Sequence, residues 1–269
     1  MNNLERVDKT NAAGDYSPRE SDSAIPSAPS AQQSAFEQTA QAIVCGSGSG
    51  SGAATSFGSE IRNVEEWALQ HRALIPDVFF RELVPISNHT SEHEVFYRAA
   101  DSRAIKRTWP GVYGQIPVSI AGKLDRRNAT PSEYLSRMAL HIAVFGSDLR
   151  LEGVTISDKP SMIIGQPAGQ PSLVISQLWY EKEGIATNEA IHDFMVAQGF
   201  RPVPASYYGW FRPTDGIVII DAKPDNFIKT SGGLIAIDLQ MAIFDPAQLV
   251  LAGLTAEPET PILFIPRRH

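Results

Sequence analysis

Two carboxylates, an amine and an amide crowd one stretch of this chain. Asp221, Lys223 and Asn226 stand in the order D-x-K-x-x-N, and Asp238 comes twelve residues after Asn226, closing the apolar run Leu234 to Ile237. Such groups suit the transfer of a phosphoryl group from a magnesium nucleotide to a hydroxyl. Magnesium prefers hard oxygen ligands, which Asp238 and the Asn226 amide can supply. Asp221 can orient the attacking hydroxyl and take its proton. Lys223 can rest on the transferring phosphate as a point charge. The α- and β-phosphates need a further cation from elsewhere, and Lys106, in the strand-like run Ala104 to Thr108, is placed to provide it.

Each of these residues also has a plain structural role. Asp221 can open a turn before Pro224, Asn226 can cap that turn, and Asp238 can end a strand. Lys106 and Lys223 can decorate a solvated surface. The joint spacing favours chemistry more than any one residue does. A kinase-type mechanism also needs a helix glutamate paired with the strand lysine. Glu133 opens the first strong helix after Lys106, yet its capping-box position and Arg137 one turn on account for it equally well. His89 and His93 stand four apart, but no helix and no third ligand supports a metal site there. No P-loop, G-x-S-x-G or H-E-x-x-H is present.

The elements that must position these groups are partly readable. Thr130, Pro131 and Glu133 form a capping box, Leu135, Met138, Ile142 and Phe145 follow at helical period, and Gly146 ends the helix. A helix from Val64 to Arg72 is expected behind an Asn63 cap, and another from about Asn188 to Gln198. Val95–Ala99 and Ala104–Thr108 read as a hairpin across Asp101-Ser102. Ser161–Ile164 and Leu173–Ser176 read as two further strands. Tyr207–Phe211 pairs with Ile217–Ile220, and Phe227–Lys229 with Leu234–Ile237, so Asp221 and Asp238 both sit at strand ends. Residues 1–61 are rich in Ser, Ala, Gln and Gly and are expected to form a disordered tail, with a weak helix from Ala31 to Val44 as the one alternative.

Composition narrows the function classes. The chain has 269 residues and 43% hydrophobic content, enough for one substantial domain. A net charge of −7 argues against a general nucleic-acid binder. Cys45 is the only cysteine, which excludes a disulfide scaffold. No apolar run of about 18 residues occurs and the N-terminus lacks the apolar core of a signal peptide, so a cytoplasmic protein without membrane contact is expected.

From Ser91 to Phe244 the chain resembles the small kinase-like domain of polyvalent proteins from phages and conjugative elements. The likeness is carried by Ser91–Tyr97, Ile105-Lys106, Pro110–Gly114, Thr130–Leu135, Leu151-Glu152-Gly153, Ser176-Gln177, Phe194-Met195, Gly199-Phe200 and Asp221–Asn226. That resemblance implies ATP and Mg as cofactors and phosphotransfer to a protein or small-molecule hydroxyl. It implies an α+β, two-lobed protein-kinase-like fold with a reduced C-lobe, the domain spanning 62–269 with lobes at about 62–175 and 181–269. The catalytic positions would be Asp221 and Lys223. Lys106, Glu133 and Gln177 would contact nucleotide, the 176–180 segment serving as the linker between lobes, and Asn226 and Asp238 would hold metal. The chain departs from kinases in lacking a glycine-rich loop before the first hairpin, a His-Arg before Asp221 and a Phe-Gly after Asp238. These departures keep a second expectation open: a pseudokinase-like nucleotide-binding or interaction module.

Overall fold

Part of the Ser/Ala/Gln-rich N-terminal segment, Ala31–Cys45, is a helix. Its apolar residues Phe36, Ala40 and Ile43 fall on one face of helix α1 (Ala31–Cys45), which Ser30 caps through its side chain. Phe36 and Ile43 are fully buried. Removing two such side chains from water contributes about 1.5–3 kcal/mol each, which offsets the ordering of a weak helix former. The expectation of an unstructured tail to residue 61 therefore fails for α1. This computed structural model describes residues 29–46, 56–87, 92–158, 168–203 and 206–254.

Helix α2 (Phe57–Gln70) starts at a Ser56 cap, earlier than the Asn63 cap expected. Asn63 is interior to α2 and its amide donates to the Ile43 carbonyl, tying α2 to α1. A short helix, α3 (Val78–Arg81), leads into strand β1 (Val84–Ser87). Strands β2 (His93–Arg98) and β3 (Arg103–Thr108) form the expected hairpin. An unforeseen hairpin follows, β4 (Gln115–Ile120) with β5 (Lys123–Asn128). Helix α4 (Pro131–Phe145) carries the complete capping box at Thr130 and Glu133 and ends on left-handed Gly146. Strand β6 (Arg150–Ile156) then pairs with β7 (Pro171–Leu178). The strand expected at Ser161–Ile164 lies outside the described residues.

These strands build an antiparallel five-stranded sheet in the order β1-β2-β3-β7-β6. Helix α5 (Asn188–Ala197) starts the second half. Strands β8 (Arg201–Pro202), β9 (Trp210–Arg212) and β10 (Ile217–Ile220) follow, then the hairpin β11 (Phe227–Thr230) with β12 (Gly233–Ala236). Strand β13 (Gln240–Ile243) and helix α6 (Pro246–Leu251) close the described chain. The second sheet has the order β13-β10-β9-β8. Helix α4 serves both halves. Leu135, Met138 and Ile142 join a core with α1, α2, β6 and β7, while Leu140, Val144 and Phe145 pack on the core of α5, β10 and β11. Among the described residues no helix is long and apolar enough to cross a membrane.

Candidate active site

Lys106 lies on β3, between β2 and β7, opposite Val95 and Ile175. That central position leaves it 4% exposed. An ammonium so buried needs a counter-charge. Asp238 provides it, its carboxylate 2.8 Å from Nζ, and the Ile237 carbonyl accepts a longer bond at 3.4 Å. The two partners are 132 residues apart in the chain. About a third of the Asp238 side chain (36%) remains open, so the pair sits at a mouth and not in the deep core.

A continuous run of hydrogen bonds joins this pair to the D-x-K-x-x-N turn. The Ile237 N–H donates to the Asn226 carbonyl at 3.0 Å. The Asn226 side-chain NH2 donates to the Asp221 carbonyl at 2.6 Å and to its carboxylate at 3.0 Å. Lys223 Nζ stands 3.2 Å from the same carboxylate. Asp221 itself has φ of +61°, in the left-handed region. Aspartate tolerates that region better than most residues, at a cost of about 1 kcal/mol, and such strain concentrates where a side chain must be aimed. The bend lets the chain leave β10 and turn at once into the short 3-10 turn Pro224–Asn226.

The Asn226 amide has only one sensible orientation. Both of its Asp221 neighbours are acceptors, so its NH2 must face them and its oxygen faces away. That leaves a neutral oxygen and the Asp238 carboxylate on adjoining segments. Among the described residues no group of three or more His, Cys, Asp or Glu side chains is assembled to hold a metal. Asn226 and Asp238 thus do not make an all-protein cage.

Helix α4 presents Tyr134, Arg137 and His141, spaced for one face, to the Lys106–Asp238 pair. The Tyr134 hydroxyl and His93 Nε2 are 2.9 Å apart. Arg137 pairs with Glu92 and donates to the Gln115 carbonyl at 2.9 Å. Gly114, at φ of +71°, leaves the space that the Glu92 carboxylate fills. His141 Nδ1 meets Ser147 Oγ at 2.6 Å. Burial drives His93 down to about 4, against the pull of Asp238. Burial and then Lys106 drive His141 down to about 3. Both imidazoles are neutral near pH 7. Burial also lowers Arg137 to about 10, opposed by Asp238. Burial would raise the Asp238 carboxyl, but Lys106, then His93 and Arg137, overbalance it and hold it below the ordinary range.

Glu133 and Gln177, the other two residues expected at the nucleotide, lie at the start of α4 and on β7. Glu133 does not pair with Lys106. It accepts from the Thr130 N–H at 2.9 Å and from Arg127 at 2.7 Å, because its position at the start of α4 aims it at the helix end and the β5 strand. Gln177 is a buried β7 residue opposite Ala104, and Ser176 is bonded to Arg103 and Glu152 within the sheet. The connecting segment therefore begins at Trp179, not at Ser176. Arg137, read from the sequence as a surface partner of Glu133, is instead buried against Glu92 and near Asp238, and His141 near Lys106 was missed. The available signal was Arg137 and His141, one turn apart among the apolar positions Leu135, Met138 and Ile142 of the helix. His93 was weighed only as a metal ligand with His89, which lies outside the described residues. Comparison with models of protein families, with curated proteins and with solved structures finds no match for this chain.

Proposed function

We propose that the chain is a kinase-like phosphotransferase that moves the γ-phosphoryl group of ATP to the hydroxyl of a protein or small molecule. The observation that carries this reading is the 2.8 Å pair between Lys106 and Asp238, continued through Asn226 to Asp221. A lysine on the third strand of an antiparallel sheet, an aspartate after a late hairpin and a D-x-K-x-x-N turn are the separate parts of such a site. The same reading keeps the chain among kinase-like domains of mobile-element polyvalent proteins, acting in the cytoplasm.

Asp221 would accept the proton of the acceptor hydroxyl as its oxygen bonds to phosphorus, and ADP would depart with the electrons of the broken P–O bond. Lys223 would sit by the moving phosphoryl group, and Lys106 would turn from Asp238 toward the α- and β-phosphates. Asn226 and Asp238 would hold magnesium, which when bound would neutralise phosphate charge.

A second reading, nucleotide binding without turnover, is favoured by one observation. Glu133 is committed to Arg127 and Thr130, so it does not steady Lys106. The test uses the full chain with labelled ATP and a mixed protein and small-molecule acceptor pool, and compares the wild type with Asp221→Ala. Label transfer that falls at least 100-fold in the variant supports the enzyme, a size typical for removing a general base. Nucleotide-induced thermal shifts with no transfer in either protein support the second reading. Equal transfer by both proteins would refute the role given to Asp221, and no thermal shift with Mg-ATP would refute both readings.

A further inference from the structure

A cavity of about 240 Å³ opens between β5, the loop ahead of β9 and the end of β10. Leu124, Arg126, Tyr207, Tyr208 and Asp221 are in its lining. Of the groups assigned to phosphotransfer only Asp221 lines it; Lys106, Lys223, Asn226 and Asp238 do not. In-line transfer puts the attacking hydroxyl and the leaving ADP at opposite ends of the phosphoryl group, so the acceptor needs its own approach to the base. This cavity is such an approach.

Its walls are fixed by contacts. The Ala222 N–H donates to the Tyr208 carbonyl at 3.1 Å, which holds the tyrosine loop beside Asp221. The Tyr207 and Tyr208 rings meet edge to face, centroids 4.6 Å apart. Leu124 packs on the Phe211, Val218 and Phe244 cluster, and strand alternation puts Arg126 on the same face of β5.

The charges in the lining are unevenly matched. Asp221 is met by Lys223 and Asn226. Asp125 turns one carboxylate oxygen to the Arg126 N–H at 2.8 Å. Arg127, the next residue, is taken by Glu133. Among the described residues no carboxylate pairs with the Arg126 guanidinium. A free arginine on a surface is ordinary by itself. One that shares a cavity with two tyrosines and with the proposed base is a recognition surface, since arginine and tyrosine dominate protein contacts. The volume falls below the range of about 300–1,000 Å³ usual for whole small molecules, so it suits a single side chain. Tyr207, 82% exposed, extends the wall outward for neighbouring residues.

Resting on the phosphotransferase reading, we propose that this cavity seats the acceptor, a hydroxyl side chain in a peptide segment with an acidic residue beside it. The hydroxyl faces Asp221, the neighbouring carboxylate pairs with Arg126, and the peptide lies over Tyr207. The hydroxyl oxygen bonds to the γ-phosphorus, its proton passes to Asp221, and the bond to ADP breaks with its electrons on ADP.

The test uses the full chain with Mg-ATP and short fluorescein-labelled peptides. Each has one central serine, threonine or tyrosine, flanked by glutamate, glutamine or lysine. Fluorescence anisotropy measures binding, labelled ATP measures transfer, and a melt with Mg-ATP measures nucleotide binding separately. Glutamate-flanked peptides should bind about tenfold tighter than lysine-flanked ones and be preferred in transfer. Arg126→Glu, checked for a native circular-dichroism spectrum, should reverse that preference, and Arg126→Lys should keep it. No saturable peptide binding, equal binding of the glutamate and lysine series, or a preference unchanged in folded Arg126→Glu would overturn the proposal. With the Mg-ATP shift intact, each of those results leaves the phosphotransferase reading standing. Loss of the Mg-ATP shift in the wild type would remove both. Should Arg126→Glu fail to fold, the wild-type comparison of the two peptide series still decides it.

Discussion

The Lys106–Asp238 pair is buried on one side only, so its two partners should not be equivalent in stability. Asp238→Ala leaves an ammonium that is 4% exposed without its carboxylate. Removing one partner of a buried pair costs about 3–5 kcal/mol, and the Ile237 carbonyl at 3.4 Å is a weak substitute. Lys106→Met leaves instead a carboxylate that is 36% exposed and can take water. Methionine keeps the length of the lysine stem between Val95 and Ile175, so the loss should stay near 0–1 kcal/mol. The difference between the two variants should exceed about 2 kcal/mol. Adding Lys106→Met to Asp238→Ala should recover most of that loss, because the orphaned charge is gone. Urea denaturation at pH 7.5, with m-values compared to exclude a changed unfolded state, measures all three. Equal losses in the single variants, or a double variant as unstable as the sum, would refute the one-sided burial argument.

Other consequences are as direct. Glu133→Ala should lower stability by about 1–2 kcal/mol through loss of the capping box and the Arg127 pair, while leaving Mg-ATP thermal shifts unchanged. A drop in nucleotide response would restore Glu133 to the site. His93 and His141 have folded pKa values of about 4 and about 3, below the ordinary imidazole value, so the unfolded chain binds more protons than the native one below pH 6.5. Stability should therefore fall as pH drops from 6.5 toward 4, by about 2 kcal/mol per imidazole at pH 5. His141→Asn should flatten that fall in denaturation series at pH 7.5 and 5.0, and an unchanged slope would count against buried neutral imidazoles. Phe36→Ala should cost about 3–5 kcal/mol, measured by thermal melting, although it lies in a stretch of low-complexity composition. A loss below about 1 kcal/mol would return α1 to the status of an appendage.

Local chemistry made some of the fold readable and long-range packing hid the rest. The α4 helix was legible because a capping box, an apolar stripe and a closing glycine all agreed. The hairpins at 93–108 and 227–236 were legible from turn residues between apolar runs. Helix α1 was underestimated because three apolar residues hide among Ser, Ala and Gln, and only contact with α4 makes them a core. The β5 strand, Lys123–Asn128, is nearly all exposed and charged, so it shows no alternation to read. Lys106 and Asp238 could be nominated from residue type, but their pairing is a tertiary fact. Glu133 shows the converse case. Its capping role was visible, and the orientation that role imposes rules out the lysine contact.

The β4–β5 hairpin has a mechanical consequence. It branches from the chain between β3 and α4, is tied to α4 through Gln115, and rests Leu124 on the apolar cluster of Phe211, Val218 and Phe244. The segment after Trp179 is thus not the sole connection across which the halves could swing apart. The hairpin is a second point of attachment between them, and cutting its Gln115 and Leu124 contacts should loosen both at once.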